Sequence, residues 1–291
     1  MRVLVIGSEG QLGHDVCAAF EGEDLVRADL DGDTVRLDLR DAAAVHQTIA
    51  QELRPEIVVN CAAAHNVPQC EEDPALAFAV NTTGARDLAR ACRDARARLV
   101  HISTDYVFGH GGTRPYTEDD LPAPLNVYAA SKLAGEHLIA ANCPDHIVVR
   151  TAAIYGAAPC RAKSGKNFVG LMLELAATRP EVKVVTDEFT TPTYTVPLAE
   201  QIRVLAERGD PGLYHITCQG ACSWHEFAAA IFELTQTVTT LTEAKAADFQ
   251  SAVQRPSYSV LANARAQALG LDQMPHWHTA LKDYLEATPP R

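Results

Sequence analysis

The sequence predicts an α/β protein, a doubly wound parallel sheet with helices on both faces, followed by a smaller C-terminal lobe. Two observations carry this. Short apolar runs alternate with longer amphipathic stretches through the first half of the chain, as buried parallel strands and their crossover helices do. A glycine-rich turn, Gly7-Ser8-Glu9-Gly10-Gln11-Leu12-Gly13, follows the first run at once and opens the first helix. With 291 residues the chain can bury one large core or divide into a large and a small lobe.

Residues 2–6 form a continuous apolar run, short enough for a buried strand. Leu12, Val16, Ala19 and Phe20 then make a helical stripe. Strands are expected at 25–28 and 35–37, and a helix at 41–53 capped by Asp41. A buried strand at 57–60, a long Ala-rich helix at 74–95 and a strand at 99–103 follow. After a Pro/Gly-rich loop at 109–125 come a helix at 127–142 and a strand at 147–150. Beyond about Thr151 the pattern loosens, and 156–166 mixes Gly, Pro and Lys like an ordered loop over a ligand. Helices are expected at 167–178, 196–207, 223–234 and 277–286, with strands at 182–185 and 213–217. No internal repeat is evident.

A formal net charge of −12 argues against nucleic acid or an anionic membrane as the main partner. No stretch approaches the length of a membrane span or a signal-peptide core, so a soluble, cytoplasmic protein is expected. Eight cysteines at 17, 61, 70, 92, 143, 160, 218 and 222 lack the spacing of a disulfide framework and read as buried thiols in a reducing compartment. His215-x-x-Cys218-x-x-x-Cys222-x-x-His225 invites comparison with a zinc site. A strand ending near Thr217 and a Ser223-x-x-Glu226 capping box explain the same residues better, and no metal is expected.

The chemistry starts at the glycine turn. Gly7, Gly10 and Gly13 permit a tight turn, close approach of backbone to a pyrophosphate, and packing of helix on strand. The helix beginning at Gln11 and Leu12 then offers unpaired N–H groups to phosphate. After strand one of a βα series this is strong evidence for dinucleotide binding. Asp29 ends the second strand, sixteen residues after Gly13. A carboxylate there accepts from the adenosine ribose hydroxyls and repels a 2′-phosphate, which favours NADH over NADPH. Arg27 leaves NADPH open. Asp38 and Leu39 are placed beside the adenine, and Ala62, Ala63 and Ala64 where the dinucleotide crosses the sheet edge. A solvated loop acid is the structural alternative for Asp29, and plain packing for the alanines.

Tyr128 and Lys132 stand four apart and share a face if 127–142 is helical. A phenol beside an ammonium favours phenolate and eases proton transfer, as a ketone accepting a hydride requires. Alone the spacing is weak, because eight tyrosines make one chance match ordinary. Ser103-Thr104-Asp105-Tyr106-Val107-Phe108, Pro124-Leu125-Asn126-Val127-Tyr128 and Lys132-Leu133-Ala134-Gly135-Glu136 strengthen it. So do Leu53-Arg54-Pro55, Arg150-Thr151, Asn167-Phe168, Pro192-Thr193, Gly212-Leu213-Tyr214-His215, Trp224-His225 and Arg255-Pro256.

With the glycine turn, these segments resemble the extended short-chain dehydrogenase/reductases, most closely the dTDP-4-dehydrorhamnose reductase family, over nearly the whole chain. The resemblance implies a Rossmann domain at 1–155 and a mainly substrate-binding lobe at 156–291, with segments near 182–215 returning to the Rossmann domain. It implies Thr104, Tyr128 and Lys132 as the catalytic set, Tyr128 and Lys132 also touching the cofactor. Tyr128 would protonate the alkoxide formed by hydride transfer to C4 of a 4-keto-6-deoxy sugar on a nucleoside diphosphate. Thr104 would hydrogen-bond that oxygen, and Lys132 would hold the nicotinamide ribose. Substrate contacts are expected from Thr104, Asp105, Tyr106, Ala153, Asn167 and Arg255, and a homodimer from the family. Arg161, Lys163, Lys166 and Arg255 are candidate cations for the diphosphate, Arg255 the favoured one.

Dehydratase relatives place Asp-Glu after the Ser/Thr, whereas Tyr106 follows Asp105 here, which favours simple ketone reduction. Ala153 stands where these reductases commonly carry tryptophan, which removes a large pocket wall. Pro68, Ala129 and the run Asp187-Glu188-Phe189-Thr190 also depart from the family pattern. These changes bear on which sugar is held. Two other functions fit the same family: a non-catalytic dinucleotide-binding subunit like that of methionine adenosyltransferase, and a nucleotide-sugar epimerase.

Overall fold

Seven parallel strands form the central sheet of the computed structural model, which describes residues 1–160, 165–249, 251 and 253–288. In chain order the first six are β1 (Arg2–Ile6), β2 (Asp24–Asp29), β3 (Val35–Arg36), β4 (Ile57–Asn60), β5 (Arg98–Thr104) and β6 (His146–Thr151). Four further short strands follow: β7 (Ile154–Tyr155), β8 (Glu181–Val185), β9 (Phe189–Thr190) and β10 (Thr193–Tyr194). The last three are β11 (Gly212–His215), β12 (Cys222–Ser223) and β13 (Thr240–Ala244). The sheet order is β11-β6-β5-β4-β1-β2-β3. The chain therefore runs outward from β1 to β3, then crosses back to β4. That reversal opens a crevice at the carboxyl ends of β1 and β4, where open α/β sheets bind ligands.

The helices are α1 (Gln11–Ala19), α2 (Ala42–His46), α3 (Val67–Glu72), α4 (Pro74–Phe78), α5 (Ala85–Ala95) and α6 (Val127–Asn142). The second half adds α7 (Phe168–Thr178), α8 (Thr195–Arg208), α9 (Trp224–Leu234), α10 (Ala264–Ala268) and α11 (Trp277–Ala287). Alternate residues of the central strands bury opposite faces. Val3, Val5, Val59 and Val149 pack with Leu12, Val16 and Ile202 on one side. Leu4, Ile6, Val58 and Val148 pack with Val45, Leu88 and Ile139 on the other. Each such side chain contributes roughly 1.5–3 kcal/mol by leaving water, so a sheet apolar on both faces needs helices on both.

Four differences from the sequence reading have physical causes. The helix expected at 41–53 starts as predicted, with Asp41 Oδ1 accepting from Ala44 N–H at 3.0 Å, but its second half widens to π-helical turns over Gln47–Leu53. The helix expected at 74–95 is interrupted by a π-helical segment, Ala79–Gly84, which presents Asn81 to Ala64 and Ser131. The strand expected at 182–185 does not join the main sheet; β8 pairs in parallel with β13 instead. Thr240–Ala244 was not anticipated as a strand, because its sequence TLTEA has no clean apolar alternation.

The helix expected at 127–142 is α6. Asn126 caps it, its Oδ1 accepting from Ala129 N–H at 2.9 Å. A buried ion pair, Glu136 to Arg150 at 2.7 Å, anchors α6 to β6. Removing one partner of such a pair strands a charge in the core, at about 3–5 kcal/mol. Among the described residues no helix is long and apolar enough to cross a membrane.

Candidate active site

A continuous cleft runs along the carboxyl edge of the sheet. Gly7, Gly10 and Ala63 line its middle. Asp29, Asp38, Leu39, Ala62 and Ala64 line one arm. Gln11, Leu12, Gly13, Thr104, Asp105, Tyr106, Tyr128, Lys132 and Ala153 line the other.

The middle is built for close backbone approach. Gly7 has φ +79°, and a Cβ there would lie 2.7 Å from the Ala62 nitrogen. A Cβ on Gly13 would lie 2.0 Å from the Gly7 carbonyl oxygen. No side chain caps α1 at Gly10, which leaves its first-turn N–H groups for a ligand. A pyrophosphate fits this cradle. Gln11 lines the cleft, but its amide donates to the carbonyls of Gly156 and Ala158 at 3.4 and 3.3 Å, tying that loop to α1.

Asp29 is only 6% exposed, so it is not a solvated loop acid. Its carboxylate accepts from Glu9 N–H at 2.9 Å and Leu30 N–H at 2.7 Å, pinning both loops beside it. Arg27 is committed to Glu9 at 2.7 Å. Asp38 pairs with Arg40 at 2.6 Å, and the guanidinium holds its carboxyl below the usual range.

Thr104, at the end of β5, is in extended conformation with φ −141°. Its hydroxyl accepts from Tyr106 N–H at 3.1 Å, donates to Asp105 Oδ1 at 3.2 Å, and lies close enough to the Tyr128 phenol to oppose its upward shift. Asp105 Oδ2 accepts from Ser259 Oγ at 2.5 Å. Burial pushes Asp105 up to about 7, opposed by the hydrogen bonds from Ser259 and Thr104. Tyr106 meets Tyr128 edge to face, ring centroids 6.1 Å apart, and Arg255, which donates to Ser251 Oγ at 3.0 Å, acts electrostatically on its phenol. Burial also raises Tyr106 and Glu188, and Arg255 opposes both shifts.

One electrostatic expectation is corrected. Lys132 was expected to hold Tyr128 toward phenolate. Its Nζ instead lies 2.6 Å from the Ile102 carbonyl oxygen and 3.0 Å from His101 Nε2. Burial raises the phenol well above its ordinary value, only partly offset by Thr104, while Asp105, Tyr106 and Cys70 raise it further. Lys132 is itself lowered to about 8 by burial, against the pull of Glu136 and Cys61. A phenol that keeps its proton is suited to giving it to an alkoxide.

Ala153 has φ +43° and lines this arm with only a methyl group. Phe168 and Trp224, ring centroids 4.7 Å apart, supply an aromatic wall to the same arm. Asn167 does not line the cleft. Its Oδ1 caps α7, and its amide donates to Gly156 O at 2.8 Å and Tyr284 Oη at 3.0 Å. Lys166 is paired with Glu174, and Arg161 and Lys163 lie outside the described residues. Ser259 enters the site from a distant segment with no local spacing to announce it, while Glu188 and Trp224 come from two runs marked in the sequence, Asp187-Glu188-Phe189-Thr190 and Trp224-His225. His215 and Ser223 are structural: His215 Nδ1 meets Tyr116 O at 3.0 Å, and Ser223 forms the capping box with Glu226. Among the described residues no His/Cys/Asp/Glu group is placed to hold a metal ion.

A dinucleotide cradle at a sheet reversal, opening onto a threonine, tyrosine and lysine, defines a short-chain dehydrogenase/reductase. Residues 1–289 match the family model described as RmlD substrate binding domain, and the chain belongs to that family. It is 38% identical to a dTDP-4-dehydrorhamnose reductase of Streptomyces griseus, covering 98% of this chain and 93% of that one. It is likewise 38% identical to a dTDP-4-keto-6-deoxy-D-glucose reductase of Streptomyces niveus, covering 96% and 95%. The solved dTDP-4-dehydrorhamnose reductase of Bacillus anthracis in complex with NADP superposes with a TM-score of 0.90 at 37% identity, covering 99% of each chain.

Proposed function

We propose that this protein reduces the ketone of a dTDP-linked 4-keto-6-deoxy sugar with NADH or NADPH, converting dTDP-4-dehydro-L-rhamnose to dTDP-L-rhamnose. The convergence of Thr104, Tyr128 and Lys132 on one arm of the cleft carries the reading, and the names of its full-length relatives support it. The glycine cradle and α1 hold the pyrophosphate, Asp29 faces the adenosine ribose, and Asp38 and Leu39 border the adenine. When bound, the reduced nicotinamide supplies the hydride for the ketone carbon. Tyr128 donates its proton to the carbonyl oxygen, Thr104 hydrogen-bonds the same oxygen, and Lys132 orients the nicotinamide ribose. Arg255, beside Tyr106 and Glu188, is the cation assigned to the substrate diphosphate, with Asp105 and Tyr106 on the sugar. In this reading 1–155 holds the cofactor and 156–291 mainly the substrate. Cytoplasmic location and a homodimer belong to the same proposal, and light scattering measures the second.

A related keto sugar is the second reading, favoured by Ala153 where an indole is usual. The test is loss of reduced-nicotinamide absorbance on adding dTDP-4-dehydro-L-rhamnose, then its stereoisomers, with NADH and NADPH compared. Turnover with none of them, despite cofactor binding, would sink the reading. Tyr128→Phe is expected to lower kcat about 10²–10⁴-fold while binding NADH as the wild type does. Retained turnover would remove Tyr128 as the acid.

A further inference from the structure

A chain of buried hydrogen bonds leads from the cleft wall to Lys132. Asn60 ends β4 and His101 lies opposite it in the register of β5, so their side chains meet on one face. Asn60, His101 and Lys132 are each 1% exposed. Ala62 N–H donates to Asn60 Oδ1 at 3.1 Å. Asn60 Nδ2 lies 3.0 Å from His101 Nδ1, and His101 Nε2 lies 3.0 Å from Lys132 Nζ.

The direction of this chain follows from its first link. A backbone N–H can only donate, so Asn60 must turn its carbonyl oxygen to Ala62 and its NH₂ to His101. His101 Nδ1 must then be the bare, accepting nitrogen. Burial, the largest cause, pushes the imidazole well below its ordinary value and keeps it neutral, so its one proton sits on Nε2. That N–H points at Lys132 Nζ. A protonated lysine has no lone pair to accept it; an uncharged amine accepts from His101 and still donates to the Ile102 carbonyl. With a charged Lys132, two donors must face each other somewhere along a chain sealed from water.

We propose that His101 is a positioning residue that favours the uncharged amine of Lys132 over its ammonium in the cofactor-free protein, through a hydrogen-bond chain fixed at Ala62. The proposal rests on Lys132 being part of the reductase site. The other ionisable groups acting on Lys132 are Cys61 after β4 and Glu136 on α6. Tyr128 is one turn away on α6, and the Glu136 carboxylate is bound by Arg150 from β6. The low value of Lys132, about 8, agrees with the direction of the chain. The alkaline limb of the reductase pH profile then belongs to Lys132, because Tyr128 is held protonated far above it.

Long-range proton–nitrogen correlation spectra of the isotopically labelled, cofactor-free protein read the tautomer directly, with His101→Gln identifying the signal. The expected result is a neutral ring protonated at Nε2 once the pH exceeds the Lys132 ionisation, lowered to about 8; a ring protonated at Nδ1, or at both nitrogens, in that range overturns the proposal. Asn60→Asp supplies an acceptor on both sides and is expected to move the ring proton to Nδ1. A ring that stays protonated at Nε2 in that variant also overturns it. In turnover, His101→Gln offers Lys132 an oxygen and is expected to shift the alkaline limb upward by about one pH unit, a tenfold change in the ionisation constant; a profile superimposed on the wild type counts against the idea. The spectra need no substrate, so a wrong sugar and a wrong tautomer fail separately.

Discussion

Asp105 shows how one residue can be ionisable, buried and useful at once. Its two oxygens are held by Thr104 and Ser259, yet burial still pushes it up to about 7. A carboxyl raised in the folded state adds stability that is complete below the unfolded value near 3.9 and is lost as pH rises through the folded one. Asparagine keeps the shape without the charge. Asp105→Asn is therefore expected to gain on the wild type, by roughly 2–4 kcal/mol, between about pH 4 and 7, and to hold level above that. Urea unfolding of both proteins across that range measures it, and a pH-independent difference would show that Asp105 is not so raised. Sequence alone placed Asp105 in the site but could not supply Ser259, which arrives from 154 residues away. It also misjudged Tyr128, since i,i+4 spacing says that two side chains share a face and not that their ends meet. The amine of Lys132 turned inward to His101, which no spacing rule foretells.

At the scale of elements, capping chemistry was the most legible feature of the second half. Ser223 and Glu226 form both bonds of the predicted box, 3.1 Å and 2.7 Å, and α9 starts where they place it. Ser223→Ala is expected to cost about 1 kcal/mol, lowering Tm by roughly 2–4 °C for a chain of this size. A thermal melt with unchanged Tm would mean that packing of Phe227 and Ile231 alone fixes the start of α9. Asp41, Asn126 and Asn167 cap their helices by the same chemistry. The π-helical turns at 47–53 and 79–84 were illegible, because a widened turn preserves the apolar stripe and changes only where polar side chains face. Asn81 shows what that rotation achieves: it bonds Ala64 behind the cofactor arm and Ser131 on α6. β13 escaped notice for the opposite reason, having little apolar patterning and drawing its definition from β8.

For the molecule as a whole, the first half was easy to read because buried parallel strands are continuous apolar runs. The second half was harder because its short strands take their partners from far along the chain. One cluster of the core joins Val3 and Val5 to Phe227, Trp277 and Leu281, so the two halves share their interior. Calorimetry is expected to show one cooperative unfolding transition; two resolved transitions would mean that the halves hold together independently. β11 carries a consequence for the newborn chain. It completes the sheet by pairing with β6 through Gly212–His215, long after β6 has left the ribosome. Until then β6 is an open edge, apolar on both faces, able to template onto any neighbouring chain. Order of synthesis thus makes the protein most prone to aggregation just when its cofactor cradle is already complete, and early cofactor capture would protect that half-built sheet.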